Sequence, residues 1–158
     1  MSLAFLSLIA KVKSVVLRQL ERLRNTERLD LLGGSVEGLW DWDMRNGQVQ
    51  YSPRFRELLG YSEGEPLSKS MIAVHPEESE RVADALRRHF LERAPIELEL
   101  RLRCKNGEYR WFRGRAQAAW DAQGTPLRCV GSVADISDYK ESAQRVDDAI
   151  DTGHCNGN

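Results

Sequence analysis

The chain has 158 residues, 41% of them hydrophobic and 30% charged, with a formal net charge of -1. That length supports one domain with a substantial core plus an appendage, and the near-neutral balance gives no overall field for nucleic acid or an anionic membrane. Three cysteines, Cys104, Cys129 and Cys155, with no Cys-x-x-Cys pair, suit a reduced, cytoplasmic compartment and supply no metal framework.

The chain starts with "MSLAFLSLIAKVKSVVL". Lys11 and Lys13 interrupt this apolar run before a membrane-spanning length of roughly 20 residues, and no positive charge precedes it as a signal peptide would need. It reads as a soluble, partner-seeking helix with no membrane insertion; a truncated membrane-proximal segment is the alternative. From Leu3 to about Leu32 there is neither Gly nor Pro, and Leu6, Ile9, Val16, Leu20 and Leu23 fall on one side. Lys13 and Glu27 break the seam, so the pattern is an imperfect coiled coil that needs a second surface, its own domain or a second chain. Gly33-Gly34 closes it, and residues 1–34 form a dimerisation or signal helix.

A first strand is expected in "GLWDWDM", with Leu39, Trp40 and Trp42, followed by the hairpin signal Asn46-Gly47 and a second strand, "QVQYS". Ser52-Pro53 has the form of a cap and first helical turn, with Phe55, Leu58 and Leu59 facing inward and Gly60 ending that short helix. "HPEE" marks the start of a longer helix, with Pro76 in the first turn and Glu77-Glu78 at the positive end of its dipole. Val82, Leu86 and Phe90 recur along it at helical spacing. Three strands follow, Ile96–Cys104, Tyr109–Trp120 and Leu127–Ile136, joined at Asn106-Gly107 and Gln123-Gly124. "DYKESAQRVDDAID" is polar and helical, and "TGHCNGN" has no structure signal. The order predicts an α+β fold: a five-stranded antiparallel sheet with helices inserted after strand two and covering one face.

The fourth strand has two unlike sides. Phe112, Gly114, Ala116, Ala118 and Trp120 share a face that is apolar but small in its middle, so it either fills with helix side chains or leaves a cavity. Tyr109, Trp111, Arg113, Arg115 and Gln117 share the other. Arginine stacks on aromatic rings while bonding outward, and such surfaces suit a protein interface; the N-terminal helix is expected to lie there. The alternative is a solvated face. Arg101, Arg103, Arg110, Arg113 and Arg115 interleaved with aromatics raise single-stranded nucleic acid as a partner, but Glu97, Glu99 and Glu108 weigh against it. Asp41 and Asp43 share a strand face without an acid–base partner or nucleophile, so no catalytic residue is assigned and the chain is not read as an enzyme. His154 and Cys155 lack companions for a metal.

Taken together, "GLWDWDMRNGQVQYSPRFRELLGY", "HPEE" and "LRLRCKNGEYRWFRGRAQAAWDAQGTPLRCVGSVADIS" resemble a PAS domain of the subgroup sharing the "YRWF" strand and the Asp-Ile-Thr/Ser ending. The resemblance covers about Gly38 to Asp138, within a domain of residues 35–138, and leaves 139–158 as the start of a C-terminal helix and a tail. It implies a bacterial sensory or dimerisation module upstream of a histidine kinase, diguanylate cyclase or chemotaxis domain, with the layout of soluble chemotaxis transducers. It also implies a pocket between the sheet and the inserted helices, with Trp40, Trp42, Phe55, Leu58, Met71, Phe90, Phe112, Gly114, Ala116, Ala118 and Trp120 as candidates. Asp135, Ile136 and Ser137 correspond to the family's output site, where a carboxylate and a hydroxyl can cap the departing helix and fix its angle.

The family uses haem, flavin, small carboxylates or nothing. Light-sensing flavin chemistry needs a reactive cysteine on the inserted helices, and none lies between Gly47 and Leu102. Haem would need His75 or His89 as axial ligand, but His75 belongs to a helix entry and His89 sits in a run of arginines that looks solvated. Non-covalent flavin would stack on Trp40, Trp42 or Trp120. A small organic ligand or a packed, empty interior is the expectation, and the rival to a sensor is a ligand-free assembly adaptor. Cys104 and Cys129 are placed plausibly close by the expected strand order.

Overall fold

The computed structural model of the protein describes residues 36–153. The chain divides after Gly34 into two units, and the described residues all belong to the second. The leader helix with Leu6, Ile9, Val16, Leu20 and Leu23 lies outside the described residues, as do His154 and Cys155. In chain order the elements are β1 (Gly38–Asp43), β2 (Gln48–Tyr51), α1 (Pro53–Leu58), a single 3-10 turn (Lys69–Met71), α2 (Pro76–Glu92), β3 (Ile96–Arg103), β4 (Tyr109–Trp120), β5 (Pro126–Asp135) and α3 (Ser137–Gly153). The five strands form one antiparallel sheet in the order β2-β1-β5-β4-β3. The expected α+β architecture, with helices inserted after the second strand, is the one observed.

Local chemistry sets the boundaries. Gly47 and Gly107 occupy the left-handed region at φ 75 and φ 88, the conformation that a tight turn after Asn requires. Ser52 caps α1, its Oγ accepting from the Phe55 N–H at 3.1 Å while also accepting from the Leu39 N–H at 2.9 Å. One hydroxyl thereby fastens α1 to β1. His75 caps α2, with its Nδ1 accepting from the Glu77 N–H at 3.2 Å and Pro76 in the first turn.

The core lies between the sheet and α1: Phe55, Leu58, Leu59, Leu100, Leu102, Cys104, Phe112 and Val133 form one buried cluster. The edge of β3 is blocked rather than bare. Arg103 N–H donates to Ala73 O, His75 N–H donates to Arg101 O, and Arg101 N–H donates to the Glu78 carboxylate. Arg81 also donates to Glu99 O. The entry of α2 thus occupies backbone groups that would otherwise recruit another strand.

Three expectations need correction. His89 is fully buried, not solvated beside its arginine neighbours, because α2 turns about 100° per residue and sends Arg87 and Arg88 to other sides. Cys104 and Cys129 do not meet: β4 separates β3 from β5, and both thiols are free and buried. The C-terminal helix begins at Ser137 and runs to Gly153, absorbing part of the expected tail. The expectation that the N-terminal helix covers the Trp111 face lies outside the described residues; among those described, that face carries the start of α3. Lys140 pairs with Glu99 there, and its Nζ lies 4.8 Å from the Trp111 ring centroid.

Candidate ligand cavity and signal junction

The register explains where space is left on the inner face. Ile96, Ala116, Gly131, Trp40 and Tyr51 form one transverse row across all five strands. The next row reads Leu98, Gly114, Val133, Gly38. Large side chains flank a middle of glycine and alanine, so the sheet is hollowed along β4 and β5. Over that hollow is a cavity of about 300 Å³, closed from the helix side by Phe55, Ile72, Val74, Val82 and Leu86. This volume is at the lower end of the range of small-molecule sites, ~300–1,000 Å³.

Gly131 is a constraint as well as a gap. A Cβ there would meet the Trp40 ring at 2.4 Å and Arg115 O at 2.5 Å. The Trp40 indole therefore lies directly on the backbone of β5, and only glycine permits that.

Of the pocket candidates, Trp40, Trp42, Phe55, Gly114 and Ala116 line the cavity. Leu58 and Phe112 belong instead to the packed cluster beside it, with Phe112 0% exposed. Met71 is on the surface, its Sδ accepting from the Ser68 N–H. Phe90 packs edge-on against Trp42 at 6.4 Å. Ala118 and Trp120 surround His89. Lys69, Val49, Tyr51, Leu98 and Leu100 line the cavity without having been singled out. The alternation of β2 and β3 carried a signal for four of them; Lys69, in the 3-10 turn, had none. Burial pushes the Tyr51 phenol up to about 12, so it keeps its proton.

Neither described histidine suits a haem iron. His89 Nδ1 lies 2.5 Å from Ala94 O and its Nε2 accepts from the Ala118 N–H at 2.9 Å, so both ring nitrogens are engaged. His75 uses Nδ1 for its cap and sets its ring edge-on to Tyr109. Neither residue lines the cavity. His75, Glu77 and Glu78 do bring potential metal-ligand atoms together. Arg101 occupies that position, pairing with both carboxylates, and its guanidinium holds Glu78 below the usual glutamate range. The pair Asp41 and Asp43 is likewise spoken for. Asp41 is buried against Arg128, and Asp43 pairs with Arg45 at 2.7 Å.

The three residues expected at the output site, Asp135, Ile136 and Ser137, lie at the end of β5. Asp135 Oδ1 accepts from the Ser137 N–H at 2.9 Å, while Asp135 pairs with Arg110 at 2.6 Å. Ser137 Oγ accepts from the Trp111 N–H at 3.1 Å, and Ile136 N–H donates to Trp111 O at 2.9 Å. The first turn of α3 is thus bonded to β4, the strand that carries Gly114 and Ala116.

Comparison with known proteins agrees with this architecture. The family model for the PAS fold matches residues 48–133. The sensor protein FixL of Bradyrhizobium diazoefficiens is 27% identical over 106 residues, which are 66% of this chain and 21% of FixL. The chain therefore spans about a fifth of that relative's length. The crystal structure of a sensory box histidine kinase/response regulator from Burkholderia thailandensis E264 superimposes with a TM-score of 0.71 at 32% identity, covering 80% of this chain and 98% of that one. The N-terminal domain of a diguanylate cyclase with PAS/PAC sensor from Marinobacter aquaeolei follows with a TM-score of 0.55 at 22% identity, covering 66% of this chain and 98% of that one; this likeness concerns the fold alone. With the matched family model spanning more than half of the chain, from β2 through the inserted helices and into β5, the chain belongs to the PAS-fold family.

Proposed function

We propose that the chain is a signal-sensing module that takes a small organic molecule in the cavity over Gly114 and Ala116 and passes its occupancy to α3. The observation that carries this reading is that β4 serves both places. Its inner face floors the cavity, and its Trp111 amide and carbonyl hold Ser137 and Ile136 at the root of α3. A ligand that pushes on the floor of β4 therefore acts on the strand from which the helix departs, and a signal exists to the extent that it favours one arrangement of that helix.

The output is a kinase or cyclase domain, the kinds to which the relatives' sensory domains are joined, or a methyl-accepting chemotaxis domain. The module works as a cytoplasmic homodimer through the leader helix and is not itself an enzyme. Among the described residues no helix is long and apolar enough to cross a membrane. A hollow rather than solid interior favours this reading over a ligand-free adaptor.

The test is native mass spectrometry of the purified protein, then denaturation and analysis of what is released, with a metabolite thermal-shift screen alongside. A released molecule, or a metabolite raising Tm by ~5–10 °C at a hundredfold excess over Kd, supports the sensor. A bare mass with no responsive metabolite favours the adaptor.

A further inference from the structure

We propose that the cavity over Gly114 and Ala116 takes an uncharged, apolar molecule the size of one or two rings and turns away charged forms of the same body. The inference rests on reading the cavity as a ligand site and names the class of molecule that enters it.

Three observations carry it. The first is what the wall lacks. Its described residues include no carboxylate, and Lys69 and Arg115 are its cations. The Tyr51 phenol is neutral at physiological pH, since burial pushes it up to about 12. The rest of the wall is aliphatic or aromatic, with Trp40, Phe55, Leu98, Leu100 and Val133 among its members. The backbone of β5 is screened as well: the Trp40 indole lies on Gly131, which does not itself reach the chamber.

The second is that both cations are exposed and already placed. The Lys69 ammonium rests on the Trp42 ring, 3.5 Å from its centroid, and Arg115 pairs with Glu97 at 2.9 Å. A new ion pair formed at such exposed positions is worth little. The Trp42 N–H offers no substitute, because it is shut in with no surface open to a ligand. One phenol hydroxyl is what remains, and a single neutral donor does not replace the hydration that an ion gives up on entering an apolar chamber.

The third is size. A dry apolar cavity of ~150 Å³ takes a benzene, and this one is about 300 Å³. Its floor sets that volume. A Cβ on Gly114 would already come within 3.3 Å of Leu100 Cδ2, and anything longer than the methyl of Ala116 would enter the space above the strand.

The experiment offers the whole chain one body in three charge states: ethylbenzene, phenylacetate and benzylamine. Affinity is read by NMR titration, and the amide signals of Gly114 and Ala116 report the place. We expect ethylbenzene to shift both amides and to bind about tenfold more tightly than either ion. Ala116→Leu should weaken ethylbenzene by about tenfold without lowering Tm, because leucine fills the space the ring would take. Should that variant not fold, Gly114→Ala decides. Its methyl meets only the far end of the flexible Leu100 side chain, so the fold holds, and binding should weaken about threefold. Either ion binding as tightly as ethylbenzene overturns the proposal, as does a charged molecule released from the native protein; both results leave the cavity a ligand site. Ethylbenzene binding that spares the Gly114 and Ala116 signals, or that the folded variant leaves unchanged, also overturns it. If no member of the series binds, the proposal fails, and if in addition the native mass is bare and no metabolite raises Tm, the sensory reading falls with it.

Discussion

Ala118 donates its backbone N–H to Nε2 of His89 at 2.9 Å, inside the domain, where His89 is 0% exposed. With Nδ1 2.5 Å from Ala94 O, the ring carries its proton on Nδ1 and bridges the last turn of α2, the loop after it and β4. It replaces with one side chain the pairing that the sheet does not supply there.

His89→Ala removes this bridge and leaves the Ala118 N–H and the Ala94 carbonyl without it. The expected loss is about 3 kcal/mol in urea unfolding, combining an unsatisfied buried donor with the cavity left by the ring. A loss below about 1 kcal/mol would show that the backbone groups find other partners.

The other constraint of this kind is Gly131. In Gly131→Ala the new methyl meets the Trp40 ring and a backbone oxygen of β4. The indole can swing, but the carbonyl moves only if the strands part. Destabilisation of about 2 kcal/mol is expected from overpacking, together with loss of any ligand from the hollow as Trp40 moves into it. Equilibrium unfolding and native mass of the variant check both effects.

These two sites show which parts of the molecule the chain discloses by itself. The hairpins around Asn46-Gly47 and Asn106-Gly107 and the caps at Ser52 and His75 are local, so alternation and turn chemistry reveal them. The smallness of Gly114 and Ala116 likewise hints at a hollow within one strand. Gly131 matters only through its register with Trp40, 91 positions earlier in sequence order. Lys69 reaches the cavity wall beside Trp42 only because the 3-10 turn, which has no hydrophobic period to announce it, returns there. His89 is buried although arginines flank it, because adjacency in sequence is not adjacency on a helix face, and Cys104 and Cys129 stay apart because strand order is not chain order.

Acid should weaken the fold in part through the Glu78–Arg101 pair. Glu78 is buried, and the hydrogen bonds from Arg101 hold its folded pKa below the ordinary glutamate value. A depressed carboxyl contributes stability that is complete above its unfolded pKa, about 4.3, and is lost as pH falls through the folded value. Glu78→Gln should therefore cost about 2 kcal/mol at pH 7 and flatten the fall in stability below pH ~4. Urea midpoints for both proteins at neutral pH and at pH ~3.5 provide the measurement. Parallel loss of stability in both would exclude this pair as the source.

The junction at Ser137 makes a sharper demand, because it links the strand under the cavity to the helix that leaves the domain. Ser137 Oγ accepts from the Trp111 N–H at 3.1 Å and lies 3.4 Å from Trp111 O. Ser137→Ala removes the acceptor, while Ile136 still donates to Trp111 O and Asp135 still accepts from the backbone N–H of residue 137. Global stability should fall by about 1 kcal/mol, the usual worth of a capping hydroxyl. Local opening should be favoured by the same amount, so the Trp111 amide and the first turn of α3 should exchange hydrogen about fivefold faster. Ser137→Thr restores the hydroxyl and should restore protection. Unchanged exchange at Trp111 in Ser137→Ala would mean that the Ile136 and Asp135 hydrogen bonds and the Lys140 contacts with Glu99 and Trp111 suffice to hold the helix, and that the hydroxyl has no part in setting its departure.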